Sequence, residues 1–227
     1  MKALFLTVVI NFLFTLAYAQ RLAQITITNS GNADVITFFT NDGVFVNVTK
    51  DGKIIDWGIE STRPGYNYPG RLDQYMGRIE YYSGYDNEDF KGKIRYLGIT
   101  SFTYFSLSEG ELLKGKVKSI GSIFFDYYDA FNDEAVRGKI KNAGSYPFSY
   151  YSTFDNEAYK GKLKNAGTSA LSYYASFEDP AYKGKIKSID GQKFAYYSSF
   201  DRREYRGIMK DAQMQYFINS IRYLIKN

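Results

Sequence analysis

The chain has no cysteine and no histidine, and only one tryptophan and four prolines, in 227 residues. Without cysteine there are no disulfides, thiol nucleophiles or thiolate metal sites. Without histidine the commonest general base and metal ligand is missing. A strong excess of either charge is lacking too. The 29 Lys and Arg against 24 Asp and Glu leave a net charge of +5, which permits acidic partners without demanding them. What is abundant is aromatic: 23 Tyr and 18 Phe, residues that favour strands.

Residues 1–19 carry the marks of a signal peptide. A short positive start, "MK", precedes the apolar run "ALFLTVVINFLFTL" and a small-x-small ending, Ala17-Tyr18-Ala19. The run is short for a membrane span. Cleavage after Ala19 and a secreted, periplasmic or cell-envelope location are therefore expected.

The rest is periodic. The glycine of a Lys/Arg-Gly pair recurs at Gly92, Gly115, Gly138, Gly161, Gly184 and Gly207, always 23 residues apart. A shortened copy starts at Gly77. Fixed self-similarity at this period marks stacked supersecondary units that cannot bury a face alone. Each unit reads as two strands, such as "LSYYASF" and "YKGKIKSI". A Gly turn follows one strand (Gly98, Gly121, Gly144, Gly167, Asp190-Gly191) and an acidic turn follows the other. The expectation is an all-β antiparallel meander of tandem 23-residue β-hairpin repeats, about 14 to 16 strands in an extended or superhelically curled sheet. Residues 20–70 form an N-terminal β cap protecting the first edge, 71–210 the repeats, and 211–227 a C-terminal cap. In that last segment Met214, Phe217, Ile218, Ile221, Leu224 and Ile225 fit a helical stripe. A hairpin turning at Asn219-Ser220 fits the repeat frame better.

Counting outward from a four-residue loop at Glu178–Ala181 pairs Phe177 with Tyr182, Ala175 with Gly184, Tyr173 with Ile186 and Leu171 with Ser188 on an apolar face. The opposite face pairs Tyr174 with Lys185 and Ser172 with Lys187. In the other copies Lys162 faces Tyr151, Lys139 faces Tyr128, Lys116 faces Phe105 and Lys93 faces Tyr82. A ladder of Lys93, Lys116, Lys139, Lys162 and Lys185 beside Tyr82, Tyr128, Tyr151 and Tyr174 is thus expected on the outer face. Equivalent rungs stand about 9 to 10 Å apart. Such a ladder suits an anionic polysaccharide or lipopolysaccharide, with a protein partner as the alternative. A solvated strip that keeps strands soluble is the plainer reading and stands ahead of ligand binding. Nothing in the pattern reads bases, so no nucleic acid is expected.

The units "YY-S-x-F-D-x-x-x-Y-K-G-K-I-K" resemble uncharacterised secreted tandem-repeat proteins of Bacteroidetes-type bacteria, over roughly 71–227. That resemblance implies an envelope or secreted location and supplies no activity. Tyr159-Lys160-Gly161 and its copies are also similar to the Tyr-x-Gly of MORN repeats, with the usual Trp replaced by Leu163, Ile186 or Met209. Asp56-Trp57-Gly58 resembles WG-type repeats.

Other chemistry is thinly supported. Asp155, Asn156 and Glu157 offer too few oxygens for the six to eight that calcium takes. Asp56, Glu60, Asp73 and Glu80, near Trp57 and Tyr66, are candidates for a carboxylate pair of a glycan hydrolase, but no motif sets their spacing. No cofactor or metal is expected, and a non-catalytic structural or binding role outside the cytoplasm leads. A membrane barrel ranks below this, because the strands and both sets of turns are short.

Overall fold

The computed structural model describes residues 20–62, 69–211 and 213–226; the expected signal segment and Tyr66 lie outside them. The chain folds as an all-β antiparallel meander. The first strands are β1 (Arg21–Ile27), β2 (Ala33–Phe39), β3 (Phe45–Thr49), β4 (Ile54–Glu60) and β5 (Leu72–Asp73). The repeats supply β6 (Ile79–Tyr81), β7 (Ile94–Leu97), β8 (Thr100–Tyr104), β9 (Val117–Ile120), β10 (Ile123–Tyr127) and β11 (Ile140–Ala143). They continue through β12 (Tyr146–Tyr150), β13 (Leu163–Ala166), β14 (Ser169–Tyr173), β15 (Ile186–Ile189) and β16 (Gln192–Lys193). A hairpin of β17 (Gln215–Ile218) and β18 (Ile221–Ile225) ends the described chain.

The tight turns follow from glycine chemistry. Leu97 pairs with Thr100 and Ala166 with Ser169, leaving two-residue loops that begin at Gly98 and Gly167. Those glycines take φ of 59° and 58°, the position a type II′ turn reserves for Gly. The fifth copy instead has Asp190 (φ 44°) and Gly191 (φ 86°), both left-handed as in a type I′ turn. Asn219 and Ser220 repeat that pattern at φ 49° and 65°, so the C-terminal segment is a hairpin and not a helix.

Two bulges per repeat set the facing of every side chain. Gly184 (φ 74°) donates its N–H to the Tyr174 carbonyl at 2.8 Å, while the Tyr174 N–H reaches the Lys185 carbonyl at 3.0 Å. Gly184 and Lys185 thus oppose one residue, a bulge that needs a left-handed first position. One step on, Tyr173 pairs with Ile186 but Ser172 with Ser188, leaving Lys187 as a second extra residue. Leu171 therefore faces Ile189 and not Ser188, and Lys187 has no partner opposite it, where strict alternation put Ser172. The benefit is burial. Ile186 and Ile189, three apart, both point into the core, which an unbulged strand does not permit. Ile94 and Leu97, Val117 and Ile120, and Ile140 and Ala143 do the same.

The single curled sheet resolves into two sheets. Strands β6 to β16 form an eleven-stranded sheet in chain order. The other has seven strands, ordered β17-β18-β1-β2-β3-β4-β5, with β18 running parallel to β1. Residues 20–62 therefore do not simply cap the first edge of the array. Their sheet lies across its apolar face, and both contribute to one core. Phe38 meets Phe125 edge-on at 5.1 Å, and Phe194 meets Tyr216 at 5.0 Å. Phe38 is fully buried, which is worth about 2 to 3 kcal/mol. Hydrogen bonds pin both rims. The Asp42 carboxylate accepts from the N–H groups of Ile99 and Thr100, each at 3.0 Å, and from the Thr100 hydroxyl at 2.6 Å. At the other rim the Val117 and Ile140 N–H groups donate to the Gly52 and Lys50 carbonyls at 2.9 and 2.8 Å.

Candidate binding surfaces

The expected Lys–Tyr pairs meet through the backbone, but their side chains part. Tyr82, Tyr128, Tyr151 and Tyr174 each donate an N–H to the carbonyl of Lys93, Lys139, Lys162 and Lys185 respectively, at 2.8 to 3.0 Å. Because the bulge reorients the lysine, its side chain turns to the rim of the core instead of the outer face. Lys93, Lys116, Lys139 and Lys162 donate to the carbonyls of Gly115, Gly138, Gly161 and Gly184 in the next repeat, at 3.1, 2.5, 2.5 and 2.5 Å. Their ammonium groups also lie over the buried rings of Tyr104, Tyr127, Tyr150 and Tyr173, at 4.9 to 5.5 Å from the centroids. Lys185 sits over Tyr196 at 5.5 Å and reaches the Asn29 side chain.

Burial and the like charges of Lys50 and Lys185 pull the Lys162 amine down to about 8. Burial, with Lys50 again, pulls Lys139 to about 8. Lys93, Lys116 and Lys185 are lowered too, first by burial. Desolvation disfavours the charged form of an amine, so the direction is physical.

The tyrosines of the ladder are half-buried against the core, under a different set of cations. Arg95, Lys118, Lys141, Lys164, Lys187 and Lys210 stand over Tyr82, Phe105, Tyr128, Tyr151, Tyr174 and Tyr197, at 5.1 to 5.9 Å. Arg95, Lys118 and Lys187 in turn pair with Asp86, Glu109 and Glu178 at 3.2, 2.7 and 2.8 Å. The hydroxyls of Tyr82, Tyr128, Tyr151 and Tyr174 donate to the carbonyls of Phe102, Phe148, Leu171 and Phe194, at 2.8 to 3.0 Å. Burial raises the pKa of all four phenols. The ladder thus satisfies much of its own charge and ring surface.

A second row was not anticipated. Tyr85, Phe131, Phe154, Phe177 and Phe200 are 84 to 102 % exposed. They occupy one position of the repeat, at multiples of 23 residues, with Ser108 filling the gap in the series. Phe177 therefore does not pair with Tyr182 on the apolar face. A short turn throws it outward: the Glu178 carboxylate reaches back to the Ala175 N–H at 2.6 Å. Asp155 does the same to Ser152 at 2.6 Å, and Asp201 to Ser198 at 2.6 Å. The signal in the sequence is the acid three residues after the turn's first N–H, a local capping pattern that leaves the residue before it at the tip.

These tips are held from both sides. Asp133 accepts from the Thr153 N–H and hydroxyl at 3.1 and 2.5 Å, just before Phe154. Asn156 accepts from the Ser176 N–H at 3.0 Å, and Asp179 from the Ser199 hydroxyl at 2.9 Å. Each repeat therefore locks the loop of the next. The three residues weighed as calcium ligands are engaged in this way: Asp155 and Asn156 hold turns, and Glu157 pairs with Lys183 at 2.7 Å. Among the described residues no cluster of three or more acids is placed to hold a metal ion.

The candidate hydrolytic carboxylates likewise have partners within the fold. Asp56 accepts from the Trp57 N–H at 2.8 Å, Glu60 pairs with Arg222 and Glu80 with Arg78. Asp73 lies opposite Ile59 in β5. Comparison of the chain with family models, curated proteins and solved structures finds no match.

Proposed function

We propose that this is an exported, non-catalytic binding protein whose row of tip aromatics grips an extended polysaccharide. The observation that carries the reading is the near-complete exposure of Phe131, Phe154, Phe177 and Phe200. An apolar ring left in water at four successive repeats has no folding purpose, and contiguous exposed apolar surface marks interaction sites. Antiparallel neighbours two strands apart place equivalent rings about 9 to 10 Å from each other. A regular linear polymer matches that regularity, since one sugar face can stack on each ring as bases stack on aromatic platforms. A globular partner does not call for equal spacing. A bilayer surface is less well matched, because the loops mix Asp155, Glu157 and Asp179 with Lys160, Lys183 and Arg202 instead of presenting a basic strip. The mixed carboxylates and ammonium groups suit sugar hydroxyls. The signature of residues 1–19 supports export.

The test is retention of the purified protein on insoluble cellulose, chitin and xylan. Wild type is expected to be retained on at least one. A variant with Phe131, Phe154, Phe177 and Phe200 changed to Ser is expected to pass through while keeping its circular dichroism spectrum. Equal retention of both proteins, or retention of neither, refutes the reading. Capture by vesicles in place of polysaccharide reassigns the row to a membrane.

A further inference from the structure

The repeat sheet at β6 to β8 and the covering sheet at β4 leave a cleft between them, and its lining is chemically distinct from the aromatic row. The cleft has a volume of about 350 Å³ and an open mouth. Its walls include Trp57, Tyr81 and Tyr104, and the cations Lys53, Lys93 and Lys114. Trp57 is the chain's one tryptophan, partly buried against the core. Tyr81 is half-exposed, and Tyr104 forms the buried floor with the Lys93 ammonium over its ring at 5.2 Å.

The charges here are poorly matched within the protein. Lys114 pairs with Asp89 at 3.3 Å, but neither Lys53 nor Lys93 makes an ion pair among the described residues. Lys93 gives one hydrogen bond, to the Gly115 carbonyl at 3.1 Å, and an ammonium has three donors. Lys53 and Lys93 line the same cleft, and burial first, then the like charge of Lys53, holds the Lys93 amine below its usual range. Two like charges converge where two aromatic faces also converge, at a volume in the range of small-ligand sites.

We propose that this cleft binds a carboxylated pyranose, a hexuronate unit, with its C–H face against Trp57 and Tyr81 and its carboxylate between Lys53 and Lys93. An inorganic anion satisfies the lysines and leaves the rings idle. A neutral sugar satisfies the rings and leaves the repulsion between the lysines in place. A ring-bearing carboxylate does both. The proposal uses no residue of the aromatic row, so either can fail without the other.

Because Trp57 is unique, its emission reports on the cleft alone. The full chain is titrated at constant ionic strength with D-glucuronate, D-glucose and sodium sulfate. Saturable change in emission is expected with glucuronate and not with glucose or sulfate. Lys53→Gln, an exposed change, is expected to weaken glucuronate binding roughly tenfold, the scale of a lost charged hydrogen bond, and Lys53→Arg to restore most of it. Phe154→Ser is expected to leave the titration unchanged. No saturable response to glucuronate, an equal response to glucose or sulfate, or indifference to Lys53→Gln each overturns the proposal.

Discussion

Six glycines share one motif position, but the structure gives them unequal tolerance of a side chain. Gly92 and Gly184 both precede a ladder lysine and take φ of 76° and 74°. Replacing either with Ala forces a left-handed residue, costing about 1 to 2 kcal/mol. Lower entropy of the unfolded chain returns about 0.4 to 1 kcal/mol. For Gly92 nothing else intervenes, because no atom lies within 4 Å of the added methyl. A net loss of about 1 kcal/mol is expected. For Gly184 the methyl lands 2.6 Å from the Ala158 carbonyl oxygen and 2.9 Å from the Lys162 ammonium. Ala158 belongs to the preceding loop, stacked beneath, and its main chain cannot move without disturbing the Asn156 bonds to Ala158 and Ser176. Overpacking of this kind adds roughly 1 to 3 kcal/mol. Gly184→Ala is thus expected to cost about 2 to 4 kcal/mol, well above Gly92→Ala. Urea unfolding followed by circular dichroism, with the slope checked for constancy, measures both. Equal losses at the two positions refute the view that successive loops are tightly stacked.

Three further outcomes follow from the same contacts. Asp42→Ala removes an acceptor of three hydrogen bonds between the sheets and is expected to lose about 2 to 3 kcal/mol by urea unfolding, with Asp42→Asn losing less. Lys187→Ala removes an exposed pair with Glu178 and an exposed cation over Tyr174, and is expected to cost no more than about 1 kcal/mol. Stability is expected to rise between about pH 8 and 10 and then fall. Lys139 and Lys162 release their protons near 8 when folded and near 10.4 when unfolded, so in that window the unfolded chain holds more protons and the fold gains. Above about 10 the unfolded tyrosines ionise first, because burial raises Tyr127 and Tyr173 in the fold, and the slope reverses. Solvent screening keeps the rise on the order of 1 kcal/mol. A steady decline from pH 8 upward, in thermal melts across the range, contradicts the placement of the lysines.

The meander, its period and its turns were legible because each depends on local chemistry. Gly98, Gly167 and Asp190-Gly191 declare turns wherever they occur, and Asn219-Ser220 does so against a competing helical stripe. Facing was legible only as far as the second bulge, at Lys187. Alternation carried Tyr173 to Ile186 correctly and then failed, because a bulge changes parity without changing composition. The apolar pair Ile186 and Ile189, spaced by three inside a strand, was the available sign. The other bulge, at Gly184-Lys185 and its equivalents, turns Lys162 and its counterparts to the rim where alternation pointed them outward. The outward Phe residues were hidden by a general rule, since a Phe beside a strand is ordinarily read as core. The seven-stranded sheet depends on β1 lying parallel to β18, a pairing of chain ends that no local pattern encodes.

The most direct test of the account counts rings. Phe131, Phe154, Phe177 and Phe200 are changed to Ser singly, in adjacent pairs and all together, and affinity for the retained polysaccharide is measured for each folded variant. If the row is one continuous platform, affinity falls stepwise with every ring removed, and adjacent pairs lose more than single rings. Affinity that stays at the wild-type value through the fourfold variant, with the fold intact, contradicts it.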